Sequence, residues 1–82
     1  MKKIILEPNV PADLRTIEQR AALSVPRAIH RYAETGTGPI KALSGEFDGF
    51  LRLRVGDYRV FFKETAESIT IHRIRDRKDA CR

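Results

Sequence analysis

The chain has 82 residues, the length of one small domain, and we expect a single domain over residues 1–82. Apolar residues make up 41 % and charged residues 33 % of the sequence, a balance typical of a folded domain rather than of a disordered chain. Apolar runs such as Ile4 to Leu6 are too short to cross a membrane, and the lone cysteine, Cys81, excludes an intrachain disulfide and a cysteine-based zinc site. We therefore expect a cytoplasmic protein with no membrane association, no metal and no cofactor.

The net charge of +5 is concentrated in the second half of the chain. Seven basic and six acidic residues precede Phe50, whereas nine basic and five acidic residues lie from Phe50 to Arg82. A cationic surface favours polyanions such as nucleic acids, although it can also serve solubility alone. Any anion-binding function is thus expected in the second half.

The first elements are predicted to be a short strand and a helix. The segment from Lys2 to Leu6 is typical of a strand and is stopped by Glu7–Asn9. A helix then follows, with Pro11 in its first turn. Its apolar positions recur at helical spacing and are Val10, Leu14, Ile17 and Ala21.

A second helix is expected to start at Ser24, whose hydroxyl can cap it, with Pro26 in its first turn and Gly36 at its end. Its apolar stripe consists of Val25, Ala28, Ile29, Tyr32 and Ala33. The two helices would form a hairpin.

After a loop, the spacing of apolar residues changes to a period of two, which indicates strands. Two strands flank the tight turn Gly56–Asp57, and a third runs from about Ser68 to Ile74. The predicted fold class is therefore α+β. It consists of an N-terminal strand, a helical hairpin and a three-stranded antiparallel meander, with the helices packed on one face of a four-stranded sheet.

The turn chemistry predicts how the first two strands of the meander pair. Glycine at the first position of the Gly56–Asp57 turn suits a type II′ hairpin. This register places Arg54 opposite Arg59 and Arg52 opposite Phe61, on the sheet face away from the helices.

The pairing of the third strand of the meander follows from a predicted four-residue turn over Glu64–Glu67. Such a turn pairs Lys63 with Ser68. It also places His72 opposite Arg59, so that a histidine would lie beside the arginine pair.

Two facing arginines repel each other by roughly 1 kcal/mol in water and by a few times that near a low-dielectric surface. They can splay into water or meet Glu46, Asp48 or acidic residues at the end of the chain. The functional interpretation is an anion site. Phe50 and Phe61 on the same face would then either pack or offer surfaces on which nucleobases stack.

The segments Leu43–Phe47, Arg52–Val60 and Arg77–Asp79 resemble the RelE/ParE superfamily of bacterial toxins from toxin–antitoxin pairs. The resemblance covers about Ile40 to Arg82 well and the start of the chain only in outline. It implies an α+β fold with two helices against an antiparallel sheet, and a cognate antitoxin that silences the toxin. RelE-like members are similar to ribonucleases that cut mRNA on the ribosome, whereas ParE-like members act on DNA gyrase.

For a RelE-like toxin, the resemblance implies a metal-independent endoribonuclease in which a ribose 2′-OH attacks the adjacent phosphate. It implies catalytic, charge-stabilising roles for Arg52, Arg59 and Arg77, because guanidinium groups match phosphate oxygens and stay charged. The other basic residues expected to bind RNA are Arg54, Lys63, Arg75, Lys78 and Arg82.

Two positions near the end of the chain depart from the family pattern. Cys81 stands where many relatives have a tyrosine, and Asp76 where many have a histidine, so cleavage is expected to be weakened. Candidates for proton transfer are Cys81, if neighbouring arginines activate its thiol, and His72, because imidazole exchanges protons near neutral pH. An inert thiol and a purely structural strand histidine are the competing interpretations.

The leading prediction is a RelE-like toxin that inhibits translation by cutting mRNA on the ribosome, with a cognate antitoxin as its partner. One alternative is a ParE-like inhibitor of DNA gyrase, which needs no nuclease residues and would tolerate Cys81. Another is a non-catalytic module that binds RNA or an acidic antitoxin segment. The arginines on the strands favour the first.

Overall fold

The computed structural model describes residues 1–76. In this part of the chain, two helices and five strands follow one another, and a turn of 3₁₀ helix lies at Gly45–Phe47. The elements are β1 (Lys3–Leu6), α1 (Val10–Thr16), α2 (Gln19–Thr35), β2 (Ile40–Ala42), β3 (Leu51–Val55), β4 (Tyr58–Glu64) and β5 (Ser68–Asp76).

The strands form one mixed sheet in the order β1-β5-β4-β3-β2. β1 pairs with β5 in parallel, and the other neighbouring strands are antiparallel. The predicted α+β class and the antiparallel meander are confirmed, but the sheet has five strands rather than four. The additional strand, β2, has only three residues, with Lys41 opposite Arg52. So short a segment cannot display the alternation by which a strand is recognised in a sequence.

The division between the helices lies earlier than the sequence predicted. α1 ends at Thr16 and α2 begins at Gln19, so Ala21 belongs to α2 and Ser24 lies inside it. The Ser24 hydroxyl donates a 2.9 Å hydrogen bond to the carbonyl of Arg20 in the preceding turn instead of capping a helix. The predicted start of the second helix at Ser24 was therefore wrong.

α2 continues through Pro26 because its apolar stripe is uninterrupted. A proline inside a helix costs about 3 kcal/mol, whereas burial of each large apolar side chain contributes roughly 1.5 to 3 kcal/mol. The buried residues of the helix are Ala21, Val25, Ile29, Tyr32 and Ala33. The helix ends at Gly36 as predicted, where φ is 72° and the glycine N–H donates to the Tyr32 carbonyl.

The core lies between the helices and one face of the sheet. From α2, the ring of Tyr32 meets Phe62 edge to face, with 5.4 Å between ring centroids. Val10 of α1 is fully buried in the same cluster. The strands contribute Leu53, Val60, Phe62, Ile69, Ile71 and Ile74. This apolar layer is the one that the period-two pattern predicted.

The register of β3 and β4 is the predicted one. Leu53 lies opposite Val60, and Arg54 lies opposite Arg59. Gly56 has a φ of 59°, and no residue other than glycine has a positive φ in the described part of the chain, which is the pattern of a type II′ turn.

The register of β4 and β5 differs from the prediction. Lys63 lies opposite Thr70 rather than Ser68. The hydroxyl of Thr65 accepts hydrogen bonds from the backbone N–H groups of Glu67 at 3.2 Å and Ser68 at 3.0 Å. These bonds close a tighter turn than the expected four-residue one, and the pairs nearest the turn, from Glu64 to Phe62, move by two positions.

A bulge in β5 then shifts the register once more. Ile71 lies opposite Phe62, but Arg73 lies opposite the adjacent Phe61. His72 is thus the extra residue and has no partner in this register.

Candidate functional site

The candidate site is the sheet face away from the helices, called here the open face. Side chains alternate between the core and this face along each strand. In β5 the bulge changes the alternation, because Ile71 and Ile74 are both buried and the two residues between them lie on the open face. The open-face positions of β2 to β5 are Lys41, Arg52, Arg54, Arg59, Phe61, Lys63, Ser68, Thr70, His72, Arg73 and Arg75. None of these described positions carries a carboxylate, so the face is strongly cationic.

Three arginines lie side by side across the open face and form what we call the arginine row: Arg54, Arg59 and Arg75. Arg54 and Arg75 lie directly opposite Arg59 on its two neighbouring strands. The predicted pair Arg54–Arg59 is confirmed. The predicted placement of His72 opposite Arg59 was wrong, because the tight turn and the bulge bring Arg75 to that position.

Among the described residues, an acidic partner is found at one end of the arginine row. Nη1 of Arg75 lies 3.6 Å from Oδ1 of Asp13, whose Oδ2 accepts the backbone N–H of Ile74 at 3.1 Å. Asp13 therefore holds β5 and partly balances the charge of Arg75. Within residues 1–76, no ion pair is found for Arg54 or Arg59. Glu46 and Asp48, which the sequence offered as counter-charges, do not take this role.

A second row lies beside the first and mixes cations with an aromatic ring. Arg52 and Arg73 lie on either side of Phe61, and Lys41 follows Arg52 on the edge strand. Phe61 is half-buried. Sequence analysis missed Lys41 and Arg73 as site residues, because β2 and the bulge were not predicted.

The open face ends in an aromatic corner formed by Phe50 and His72. Their ring centroids are 4.9 Å apart in an edge-to-face arrangement, and Nζ of Lys63 lies 4.6 Å from the centre of the Phe50 ring. Nδ1 of His72 is 3.7 Å from Oε1 of Glu7. His72 therefore has a carboxylate and a phenyl ring as neighbours, and it lies outside the arginine row.

Several predicted site residues lie outside the described residues. They are Arg77, Lys78, Cys81 and Arg82. Their roles as catalytic, RNA-binding or proton-transferring groups stay predictions.

Two depressions adjoin Arg54. A cavity of about 80 Å³ at the hairpin end of the arginine row is lined by Arg54, Gly56, Asp57, Tyr58 and Arg59. A groove of about 640 Å³ between α2 and β3 is lined by arginines and by small or apolar residues, among them Arg27, Ala28, Arg31, Pro39, Leu53 and Arg54. Arg54 thus belongs to both, and the cationic surface continues from the open face into the groove.

A polar cluster ties the start of the chain to the edge of the core. Tyr32 donates a 2.6 Å hydrogen bond to Oε1 of Glu64, and Nζ of Lys2 donates to Oε2 at 2.5 Å. Burial, the hydrogen bond and the charge of Glu64 raise the pKa of Tyr32 to about 12. Burial alone would raise the pKa of Glu64, but the bonds from Lys2 and Tyr32 and the lysine charge outweigh it and lower that pKa. This cluster is structural and lies away from the open face.

In the described residues, no group of three or more His, Cys, Asp or Glu side chains could hold a metal ion. Neither helix found there is long and apolar enough to cross a membrane.

This mixed five-stranded sheet with two helices on one face aligns with solved structures of RelB–RelE and RelBE2 toxin–antitoxin complexes over nearly the whole length of the chain. The resemblance predicted from the sequence is thereby confirmed at the level of the fold. The sequence itself matches no protein-family model and no curated protein.

Three solved structures illustrate the similarity. The RelB–RelE antitoxin–toxin complex from Methanococcus jannaschii aligns with a TM-score of 0.76 over 94 % of both chains at 18 % identity. The RelBE2 toxin–antitoxin complex from Mycobacterium tuberculosis aligns with a TM-score of 0.81 over 93 % of this chain and 98 % of that chain at 20 % identity. The YoeB–YefM complex from Staphylococcus aureus aligns with a TM-score of 0.72 over 92 % and 95 % at 13 % identity.

Proposed function

We propose that the protein is the RelE-like toxin of a toxin–antitoxin pair and that it cleaves mRNA on the ribosome. The observation that carries this proposal is the arginine row, in which Arg59 is flanked by two further guanidinium groups on an open sheet face. Facing arginines oppose folding, so a bound polyanion gives them a role that stability does not. The fold supports the same conclusion, since the similar solved structures include toxin–antitoxin complexes.

The proposed reaction is the attack of a ribose 2′-OH on the adjacent phosphate, without a metal. The phosphate gains negative charge in the transition state, and charged donors already aimed at it stabilise that charge. In this proposal Arg59 stabilises that charge, and Arg54 and Arg75 opposite it hold the phosphates on either side. Arg52, in the neighbouring row, would orient the strand by binding further phosphates.

Proton transfer in this reaction needs a group other than arginine, because guanidinium is a poor base. His72 is the described candidate, but it lies next to Arg73 rather than opposite Arg59. Its ring packs edge to face on Phe50, and its Nδ1 lies near the carboxylate of Glu7. His72 stays a candidate acid or base for an RNA strand that binds along the second row, beside Arg73. Cys81 is the other candidate.

The proposed partner is an antitoxin with an acidic segment. The groove between α2 and β3 has apolar residues and the cations Arg27 and Arg31, and it leads to Arg54 in the arginine row. A segment with apolar and acidic side chains in this groove would place carboxylates on the residues that bind RNA. It would inhibit the toxin by occupying its site.

The test is incubation of the purified protein with mRNA-programmed ribosomes, followed by mapping of the 5′ ends of the message. We expect new ends with the wild-type protein and at least a tenfold slower reaction with Arg59→Ala. Arg20→Ala is the matched control, because Arg20 is an exposed arginine on α2. Intact message with normal translation would refute the proposal, and inhibition of gyrase supercoiling with intact message would identify a ParE-like activity instead.

A further inference from the structure

We propose that Phe61 is a stacking platform for one unpaired nucleobase and that the cations around it bind the phosphates on either side of that base. The inference rests on the proposed RNA substrate and narrows it to single-stranded RNA. It assigns a binding role to a residue that the arginine-based mechanism does not use.

Cations occupy all four neighbouring positions of Phe61 on the open face. Arg52 and Arg73 lie directly opposite it on the two adjacent strands. Arg59 and Lys63 lie two residues before and after it on β4, and side chains two residues apart in a strand share a face. A single phenyl ring is thus bordered by three guanidinium groups and one ammonium group.

Packing explains this ring poorly. The helices lie on the opposite face of the sheet, and Phe61 is half-buried, whereas its neighbour Phe62 is 1 % exposed in the core. The ring pairs found within residues 1–76 join Tyr32 with Phe62 and Phe50 with His72, so Phe61 takes part in neither. An apolar ring among cations on an open face is what a stacked base needs, since aromatic planes beside basic side chains bind single strands.

The spacing fits one nucleotide. Adjacent strands are about 4.8 Å apart, and open-face neighbours along a strand are about 6.6 Å apart. The backbone positions of the four cations therefore lie about 5 to 7 Å from that of Phe61, close enough for their long side chains to reach the phosphates on either side of a base stacked on the ring. A base inside a duplex is covered on both faces, so a base available for Phe61 must be unpaired and unstacked.

The first test measures binding without cleavage, using hexamers whose 2′-hydroxyls are methylated and a matching sugar–phosphate hexamer that lacks bases. Phe61→Leu keeps an apolar side chain but removes the π face, and we expect about tenfold weaker binding to the hexamer with bases. Binding to the baseless hexamer should not change. Phe47→Leu is the matched control, because Phe47 is 54 % exposed in the 3₁₀ turn.

A second variant gives a direct signal of stacking. The chain contains no tryptophan, so Phe61→Trp introduces a single indole whose emission is quenched when a base stacks on it. We expect quenching by the hexamer with bases, none by the baseless hexamer, and none for Phe47→Trp. This measurement decides the question even if Phe61→Leu does not fold.

Equal affinity of the wild-type protein for both hexamers would overturn the inference. So would a Phe61→Leu variant that binds the hexamer with bases as tightly as the wild-type protein does. These outcomes are separate from the test of the proposed function. If mRNA is cut on the ribosome but substitutions of Phe61 do not change binding to the hexamer with bases, only the stacking platform is refuted. If binding depends on the bases but the mRNA on the ribosome stays intact, only the proposed reaction is refuted.

Discussion

Replacing Arg59 with glutamine should stabilise the fold while weakening RNA binding. Arg59 is the central member of the arginine row and has Arg54 and Arg75 directly opposite it on the neighbouring strands. Its charge raises the free energy of the folded state, in which the three guanidinium groups are held together. Glutamine retains part of the side chain and removes the charge.

The magnitude follows from the geometry of the row. Two unit charges about 7 Å apart repel each other by roughly 0.6 kcal/mol in bulk water and about 2.4 kcal/mol at an effective dielectric constant of about 20. Arg75 is partly balanced by Asp13 at 3.6 Å, so Arg54 is the main repelling neighbour of Arg59. We therefore expect Arg59→Gln to raise the free energy of unfolding by about 1 kcal/mol at low salt.

Urea denaturation at low salt and at about 1 M salt measures this effect. At this higher concentration the Debye length is about 3 Å, so the gain should disappear. RNA affinity should fall, and the slope of log affinity against log salt should decrease by about 0.7 if Arg59 binds one phosphate. Arg20→Gln, on the exposed side of α2, should change stability by less than about 0.5 kcal/mol at either salt concentration. A loss of stability at low salt, or a gain that persists at high salt, would show that the arginines do not repel each other.

Two further predictions concern the polar contacts at the end of β4. The pKa of Glu64 is lowered in the fold, so its stabilising effect is present above its unfolded pKa and is lost as the pH falls through the folded value. Glu64→Gln should therefore cost about 1 to 3 kcal/mol in urea denaturation at neutral pH and much less in acid, and an equal cost at both pH values would contradict this. Thr65→Ala removes the acceptor of the Glu67 and Ser68 N–H groups and should cost about 1 kcal/mol, whereas Thr65→Ser should remain near the wild type. Equal melting temperatures for the two variants would show that the hydroxyl does not hold the turn.

The arginine pair could be predicted from the sequence because one local rule decides it. A type II′ turn needs glycine at its first central position, and Gly56 is the residue between two alternating segments that meets this need. Once the turn is placed, the pairing of Arg54 with Arg59 follows by counting. The apolar layer followed from the same alternation.

The position of His72 was predicted wrongly because two features changed the pairing register between β4 and β5. The hydroxyl of Thr65 tightens the turn, and the bulge inserts one residue. The sequence does contain a signal of the bulge. Ile69 and Ile71 are two apart, but the next buried residue, Ile74, is three further on, which a regular strand cannot place on the same face.

Other features have no local signal. The strand β2 exists because β3 offers it an edge, with Lys41 opposite Arg52. Asp13 meets Arg75 because α1 lies along β5, although the two residues are far apart in the sequence. Similarly, α2 runs through Pro26 because tertiary burial outweighs a local cost. Long-range contacts decide all three.

The parallel pairing of β1 with β5 determines when the arginine row gains its acidic partner. Leu6 lies opposite Ile71, and α1 then supplies Asp13 to the next part of β5. The local β4–β5 hairpin already places Arg75 opposite Arg59, whereas Asp13 meets Arg75 only across most of the length of the described chain. Contacts of such wide sequence separation form slowly, since a long loop must close first. Until that contact forms, the three arginines lie together without the carboxylate of Asp13, so the partial balancing of Arg75 is acquired as a late step of folding.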